Sequence, residues 1–133
     1  MDDLNHIQKT TYEYAEKLAK DFYIGKLQGT KVYSPALKKH IYFTHSGWNH
    51  FVEKDRSVNE LITRFFALPR VVGVLKKCRK YCDYNQRKKK YLIVEYWSFE
   101  AEVDNVLVKT VVTKVGGGKP YFLSCVWLGE IKT

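Results

Sequence analysis

The chain has 133 residues, of which 45% are hydrophobic and 28% are charged, the size and composition of one globular domain. These values exclude a wholly disordered chain and a membrane-spanning helix, because no apolar stretch reaches the roughly 18–20 residues that a span needs. Lysine and arginine number 23 against 14 acidic residues, and the net charge of +9 favours an anionic partner such as nucleic acid.

The chain is predicted to begin with a helix over residues 4–24. Apolar residues recur there at helical spacing, with lysine and glutamate between them. Residues 30–44 change character and are predicted to be extended, with a turn at Ser34-Pro35 and a short strand at 40–44.

A helical region is predicted over residues 45–82, in three pieces. Thr44 or Ser46 can cap a short first helix. The second piece, residues 57–68, begins with a capping box in which Ser57 precedes Glu60 by three positions. Proline at position 69 interrupts it, and the third piece is predicted to continue to about residue 82.

Residues 91–128 are predicted to form an antiparallel meander, with strands over 91–99, 106–115 and 121–128. Asp104-Asn105 and the glycines at 116–118 supply the turns. The gaps are too short for the crossover helices of a parallel sheet. The fold class is therefore predicted to be α+β, with residues 1–133 in a single domain.

The cysteines indicate a reduced compartment. Cys78, Cys82 and Cys125 are an odd number, and the polar start MDDLNHIQKT lacks the features of a signal peptide. We therefore predict free thiols and a cytoplasmic location. No cysteine or histidine pair completes a zinc spacing, so no metal or other cofactor is expected.

Much of the excess charge lies in residues 76–90, where tyrosines are interspersed and Asp83 is the lone acid. This segment is predicted to be a docking surface for RNA or for an acidic protein, separate from any active site. Its cations are Lys76, Lys77, Arg79, Lys80, Arg87, Lys88, Lys89 and Lys90.

His45 and His50 lie on either side of a Gly-Trp turn and are the candidates for proton transfer near neutral pH. With Lys54 and Arg56 close by in the sequence, they have the residue types that phosphodiester cleavage needs, namely a base, an acid and positive charge. The alternative is a structural histidine beside an aromatic anchor. A five-residue spacing without a carboxylate cluster gives little support to a metal site.

Two further polar residues lie in apolar surroundings. Arg64 either extends to solvent or points into a site, and Ser124 is either satisfied by the backbone or holds a phosphate. Strand alternation places Phe122, Ser124 and Val126 on one face. If that face meets the one carrying Lys109 and Thr113, then Lys109, Thr113 and Ser124 form a polar patch.

Spaced residues over roughly 30–128 resemble the phage-type branch of the barnase, EndoU, colicin and RelE-like ribonuclease superfamily. The resemblance rests on Val32-Tyr33-Ser34-Pro35-Ala36-Leu37, Ile41-Tyr42-Phe43-Thr44-(x2)-Gly47-Trp48-(x)-His50, Arg56, Arg64-Phe65-(x2)-Leu68-Pro69, and Val108-Lys109-Thr110-Val111-Val112-(x5)-Gly118-Lys119-(x2)-Phe122-Leu123-Ser124. It implies helices packed on one side of an antiparallel sheet of about four strands.

The resemblance also implies metal-independent RNA cleavage, commonly by a toxin, through attack of the ribose 2′-hydroxyl to leave a 2′,3′-cyclic phosphate. By role, His50 would be the general base or acid, with His45 the candidate second proton carrier. Arg56 and Arg64 would stabilise the phosphate and Ser124 would position it. The further candidates for substrate binding are Lys54, Lys88, Lys89, Lys109 and Thr113, with Trp48, Tyr96 and Trp97 as stacking platforms or, alternatively, as core residues.

Two rival functions remain at this point. One is a non-catalytic RNA- or DNA-binding module, which the basic segment would explain. The other is a basic protein that acts mainly through an acidic partner, and a toxin would itself need an acidic antitoxin or immunity protein. No membrane partner is expected.

Overall fold

The computed structural model describes residues 2–53 and 57–130 and confirms an α+β fold. The helices are α1 (Asp2–Phe22), which a π-helical turn continues to Leu27, then α2 (His45–Phe51), α3 (Val58–Ala67) and, after a 3₁₀ turn, α4 (Val71–Lys77). The strands are β1 (Lys31–Ser34), β2 (Lys39–Tyr42), β3 (Asp83–Lys89), β4 (Leu92–Val103), β5 (Val106–Val115) and β6 (Tyr121–Glu130). Of the helices described, none is both long and apolar enough to cross a membrane.

The sheet has six strands in the order β1-β2-β6-β5-β4-β3, so the expectation of about four antiparallel strands was only partly correct. β4 to β6 form the predicted meander, to which β3 adds a fourth antiparallel strand. The β1–β2 hairpin joins it through one parallel pairing, Tyr42 with Tyr121. β3 was not predicted, because every one of its residues is exposed and it has no apolar alternation.

The capping signals of the helical region are confirmed. The Ser57 side chain accepts a hydrogen bond from the backbone N–H of Glu60, and that of Thr44 accepts one from Gly47. The third helical piece is shorter than predicted, because α4 ends at Lys77 and the chain then turns into the sheet. There the N–H of Cys82 donates to the carbonyl oxygen of Ser98 at 2.7 Å.

The sheet buries one face under the helices. Phe99, Val108, Val112 and Phe122 lie on that face, are fully buried, and pack with residues of α2, α3 and α4 in one core. Alternate residues point to the opposite side, which we call the far face. The register aligns two rows of far-face residues across β3, β4, β5 and β6: Asn85–Tyr96–Thr113–Tyr121 and Asp83–Ser98–Val111–Ser124.

A β-bulge separates Phe122 from Ser124. Val111 pairs with Ser124 and the next residue, Val112, pairs with Phe122, so that Leu123 is the extra residue of β6. The prediction that Phe122 and Ser124 share a face was therefore wrong. Phe122 belongs to the core, whereas Ser124 has its register position on the far face.

Helix α2 lies against the backbone of β6 at Gly47. A Cβ atom at this position would overlap the carbonyl oxygen of Phe122 and would lie 3.2 Å from the Tyr23 hydroxyl. The Tyr23 hydroxyl donates to the carbonyl oxygen of Thr44 at 2.6 Å, just before the helix begins. Only glycine allows α2 to approach β6 so closely.

We predict that Gly47→Ala destabilises the protein by about 2–3 kcal/mol, because the methyl group meets backbone that cannot rotate away. The control is Gly117→Ala, since a Cβ at Gly117 meets nothing within 4 Å and its backbone is not left-handed. The control should change stability by no more than about 0.5 kcal/mol. Urea unfolding compares the two, and equal stabilities would contradict the close packing of α2 on β6.

Candidate functional site

A cleft of about 470 Å³ opens on the far face of the sheet, and His50 lies at its wall. The last turn of α2 carries His50, which is half-buried, while β4, β5 and β6 form the floor. The hairpin between β3 and β4 closes the other side. The lining residues are His50, Lys89, Lys90, Tyr91, Leu92, Val94, Tyr96, Thr113, Val115, Tyr121 and Leu123.

The cleft joins a basic surface to a histidine. Lys89 and Lys90 both line it, and Arg87 on the same strand lies 5.9 Å from the centre of the Tyr96 ring. The basic segment was expected to be separate from the chemistry, and this expectation was wrong at its C-terminal end. The reason is that β3 folds back on β4 and brings Lys89 and Lys90 to the far face.

The hydroxyl groups of Thr113 and Tyr121 both lie in the cleft but differ in whether they can donate to a ligand. Thr113 is buried and its hydroxyl donates to the carbonyl oxygen of Glu95 at 2.9 Å, so its proton is already used in a hydrogen bond within the sheet. Burial raises the pKa of the Tyr121 hydroxyl, and the neighbouring Tyr96 adds to this shift. Tyr121 therefore keeps its proton at neutral pH and can donate it to an anion in the cleft.

Arg64 and Ser124 meet beside the cleft. The Arg64 guanidinium donates to the Ser124 hydroxyl at 2.6 Å and to the Cys125 carbonyl oxygen at 3.3 Å. Helix α3 can reach this part of β6 because β2 pairs with β6 only at Tyr121. Ser124 follows Leu123, a lining residue of the cleft, so the pair adjoins the cleft along β6.

The sequence named several residues that the structure does not bring into the cleft. His45 is exposed at the start of α2 and does not line the cleft, so the structure does not bring it together with His50 there. Trp48 is only 5% exposed and packs against the rings of Tyr23 and Phe65, so it presents no free face for stacking. Lys54 and Arg56 lie outside the described residues.

The other candidates lie on β3, β4 and β5. Lys109 lines a neighbouring hollow of the far face, the face on which Thr113 and Ser124 also have their register positions. Trp97 packs against the core. Lys88 is exposed and pairs with Ile93. Because it precedes Lys89 on β3, its register position is on the face of the sheet opposite to that of Lys89. Tyr96 lines both the cleft and the hollow, and its use as a stacking platform stays a prediction.

Sequence reasoning missed Tyr121, Lys90 and Tyr91. Tyr121 could have been found from the alternation of β6, because it precedes the core residue Phe122 and must point the other way. Lys90 was named only as a cation of the basic segment and Tyr91 only as the first residue of a strand, because the turn that they form depends on β3, which was not predicted. Lys90 adopts a left-handed φ of 55° there.

The chain was compared with family models, curated proteins and solved structures, and none of the three comparisons gave a match. Among the side chains that the structure describes, those of residues 9–53 and 57–129, no three of histidine, cysteine, aspartate or glutamate gather as metal ligands. The site is therefore interpreted from its own geometry.

We predict that Ser124→Ala lowers the free energy of unfolding by about 1.5 kcal/mol, because it removes a hydrogen bond to a charged group beside the sheet. Ser46→Ala, at an exposed position of α2, is the control and should change stability by less than about 0.5 kcal/mol. Chemical denaturation measures both. A Ser124→Ala protein as stable as the control would show that the contact with Arg64 does not contribute.

Proposed function

We propose that the protein is an endoribonuclease that cuts RNA without a metal ion, using the ribose 2′-hydroxyl as nucleophile. The observation that carries the proposal is the cleft, which combines His50 with the cations of Lys89 and Lys90 and the tyrosines Tyr96 and Tyr121. A phosphodiester needs a proton acceptor, positive charge and flat side chains for unpaired bases, and all three border one space.

The reaction assigns a task to each group. The 2′-oxygen attacks phosphorus, the bond from phosphorus to the 5′-oxygen breaks, and a 2′,3′-cyclic phosphate remains. In this proposal His50, which lines the cleft, takes the proton of the 2′-hydroxyl, and Lys89 or Lys90 neutralises the charge that develops on the phosphoryl oxygens. Tyr121 holds a proton at neutral pH and is the candidate donor of the proton that the departing 5′-oxygen takes up.

The family resemblance gives Arg64 and Ser124 a role at the phosphate. In the structure they hydrogen-bond to each other next to the cleft, and this contact favours a role in which they hold β6 in position at the wall of the cleft. Under this proposal the substrate is cytoplasmic RNA, and a toxin of this kind would require an acidic protein to restrain it. The net charge of +9 is compatible with both partners.

The direct test is cleavage of single-stranded RNA in EDTA by the wild type and two histidine variants. His50→Ala should reduce the rate at least about 100-fold, because it removes the proton acceptor. His45→Ala, on the same helix but outside the cleft, should cleave at the wild-type rate. Circular dichroism verifies folding, and a cyclic phosphate product verifies the route.

The proposal fails if folded wild-type protein leaves RNA intact, or if both histidine variants cleave equally. Loss of cleavage in EDTA that magnesium restores would contradict the metal-independent route. His50→Gln serves as a second variant, since it keeps the size of the side chain while removing most of its basicity.

The alternative is a non-catalytic nucleic-acid-binding module. It is favoured by β3, whose residues are all exposed and which carries Arg87, Lys88 and Lys89 at the edge of the sheet. Such a module would bind RNA with an affinity that falls steeply with salt and would have no cleavage for His50→Ala to remove.

A further inference from the structure

A second cavity lies on the far face, next to the cleft and on the other side of Tyr96. It is a hollow of about 170 Å³ across β3, β4 and β5. Its far-face lining consists of Asp83, Asn85, Tyr96, Ser98, Lys109 and Val111. An apolar cavity of about 150 Å³ holds benzene, so the hollow has room for one six-membered ring.

The lining of the hollow includes a carboxylate, although the segment that supplies it is otherwise basic. Asp83 is the lone acid among the eight cations of residues 76–90. A carboxylate repels phosphates and weakens a surface that only has to hold an RNA backbone. Its presence in the hollow points instead to a ligand group that donates hydrogen bonds.

The carboxylate is held in place by its own strand. Asp83 Oδ1 accepts the backbone N–H of Tyr84 at 2.9 Å, and the register places Asp83 opposite Ser98. Asn85 follows on the same face. Asp83, Asn85 and Ser98 thus present acceptors along one side of the hollow, and the Asn85 amide and Ser98 hydroxyl also supply donors.

The other walls suit the remaining parts of a nucleotide. The ring of Tyr96 is half-buried and separates the hollow from the His50 cleft, so a base in the hollow can lie against it. Lys109 on β5 supplies a cation for an adjoining phosphate. Since neighbouring strands are about 4.8 Å apart, the hollow lies within a few nucleotides of the cleft.

We infer that this hollow binds the base of an unpaired nucleotide near the cleavage site, and that Asp83 makes it prefer a base with an exocyclic amino group to uracil. The amino group of cytosine donates to carboxylates, whereas uracil has a carbonyl oxygen at the same position, which a carboxylate repels. The inference rests on the proposed function in taking RNA as the ligand and the neighbouring cleft as the place of cleavage.

The test is equilibrium binding of two fluorescent oligonucleotides, oligo(C) and oligo(U), whose bases differ in the 4-substituent that Asp83 would read and in the proton on the adjacent N3. His50→Ala is the parent protein, so that cleavage does not disturb the measurement. We expect the parent to bind oligo(C) about tenfold more tightly than oligo(U). Adding Asp83→Asn should bring the two affinities to within about twofold, and adding Asp104→Asn should leave the preference unchanged.

Asp104→Asn is the matched control because it removes the same charge at the β4–β5 turn, where asparagine also tolerates the left-handed φ of 56°. Equal binding of oligo(C) and oligo(U) by the parent, or a preference that survives Asp83→Asn, would overturn the inference. If Asp83→Asn abolishes the preference for oligo(C) but the wild type does not cleave RNA, base binding in the hollow is supported and the proposed ribonuclease activity is refuted.

Discussion

The close approach of α2 to β6 at Gly47 determines the geometry of the site. Gly47 lies where any side chain would overlap the Phe122 carbonyl oxygen, so the helix is held against the sheet at the distance of backbone contact. The Tyr23 hydroxyl joins the same point from α1 through its hydrogen bond to Thr44. Because His50 is three residues beyond Gly47, its side chain reaches the cleft.

The two faces of the sheet have different roles, one in stabilising the fold and the other in presenting polar groups. The helix-covered face contains the fully buried side chains and stabilises the fold. The far face carries hydroxyl, amide and charged groups, arranged in cross-strand rows by the regular register of β3, β4 and β5. The bulge at Leu123 shifts the in-and-out alternation of β6 by one residue, so that Phe122 and Cys125, three positions apart, both face the core.

Local signals in the sequence predicted much of the fold and less of the site. Caps such as Ser57 and turns such as Asp104-Asn105 act over a few residues, and the structure confirms them. β3 escaped prediction because an edge strand exposed on both faces needs no apolar pattern. The bulge escaped because one extra residue in β6 leaves the composition unchanged.

The two histidines illustrate what could have been predicted. On a helix, residues five apart differ by about 140° around the axis, so His45 and His50 could not both face one cleft once α2 was a regular helix. The meeting of His50 with Lys89 and Tyr121 depends on long-range pairing. No spacing in the sequence encodes the placement of these residues around one cleft.

We propose that RNA binds to the far face of the sheet beside His50. A 2′-O-methyl oligonucleotide lacks the attacking hydroxyl and can be added to ¹⁵N-labelled protein while amide chemical shifts are recorded. We expect the largest shift changes at Asn85, Tyr96, Thr113, Tyr121 and His50. Changes concentrated on α1 and α3, or no changes at low salt, would show that RNA does not bind there.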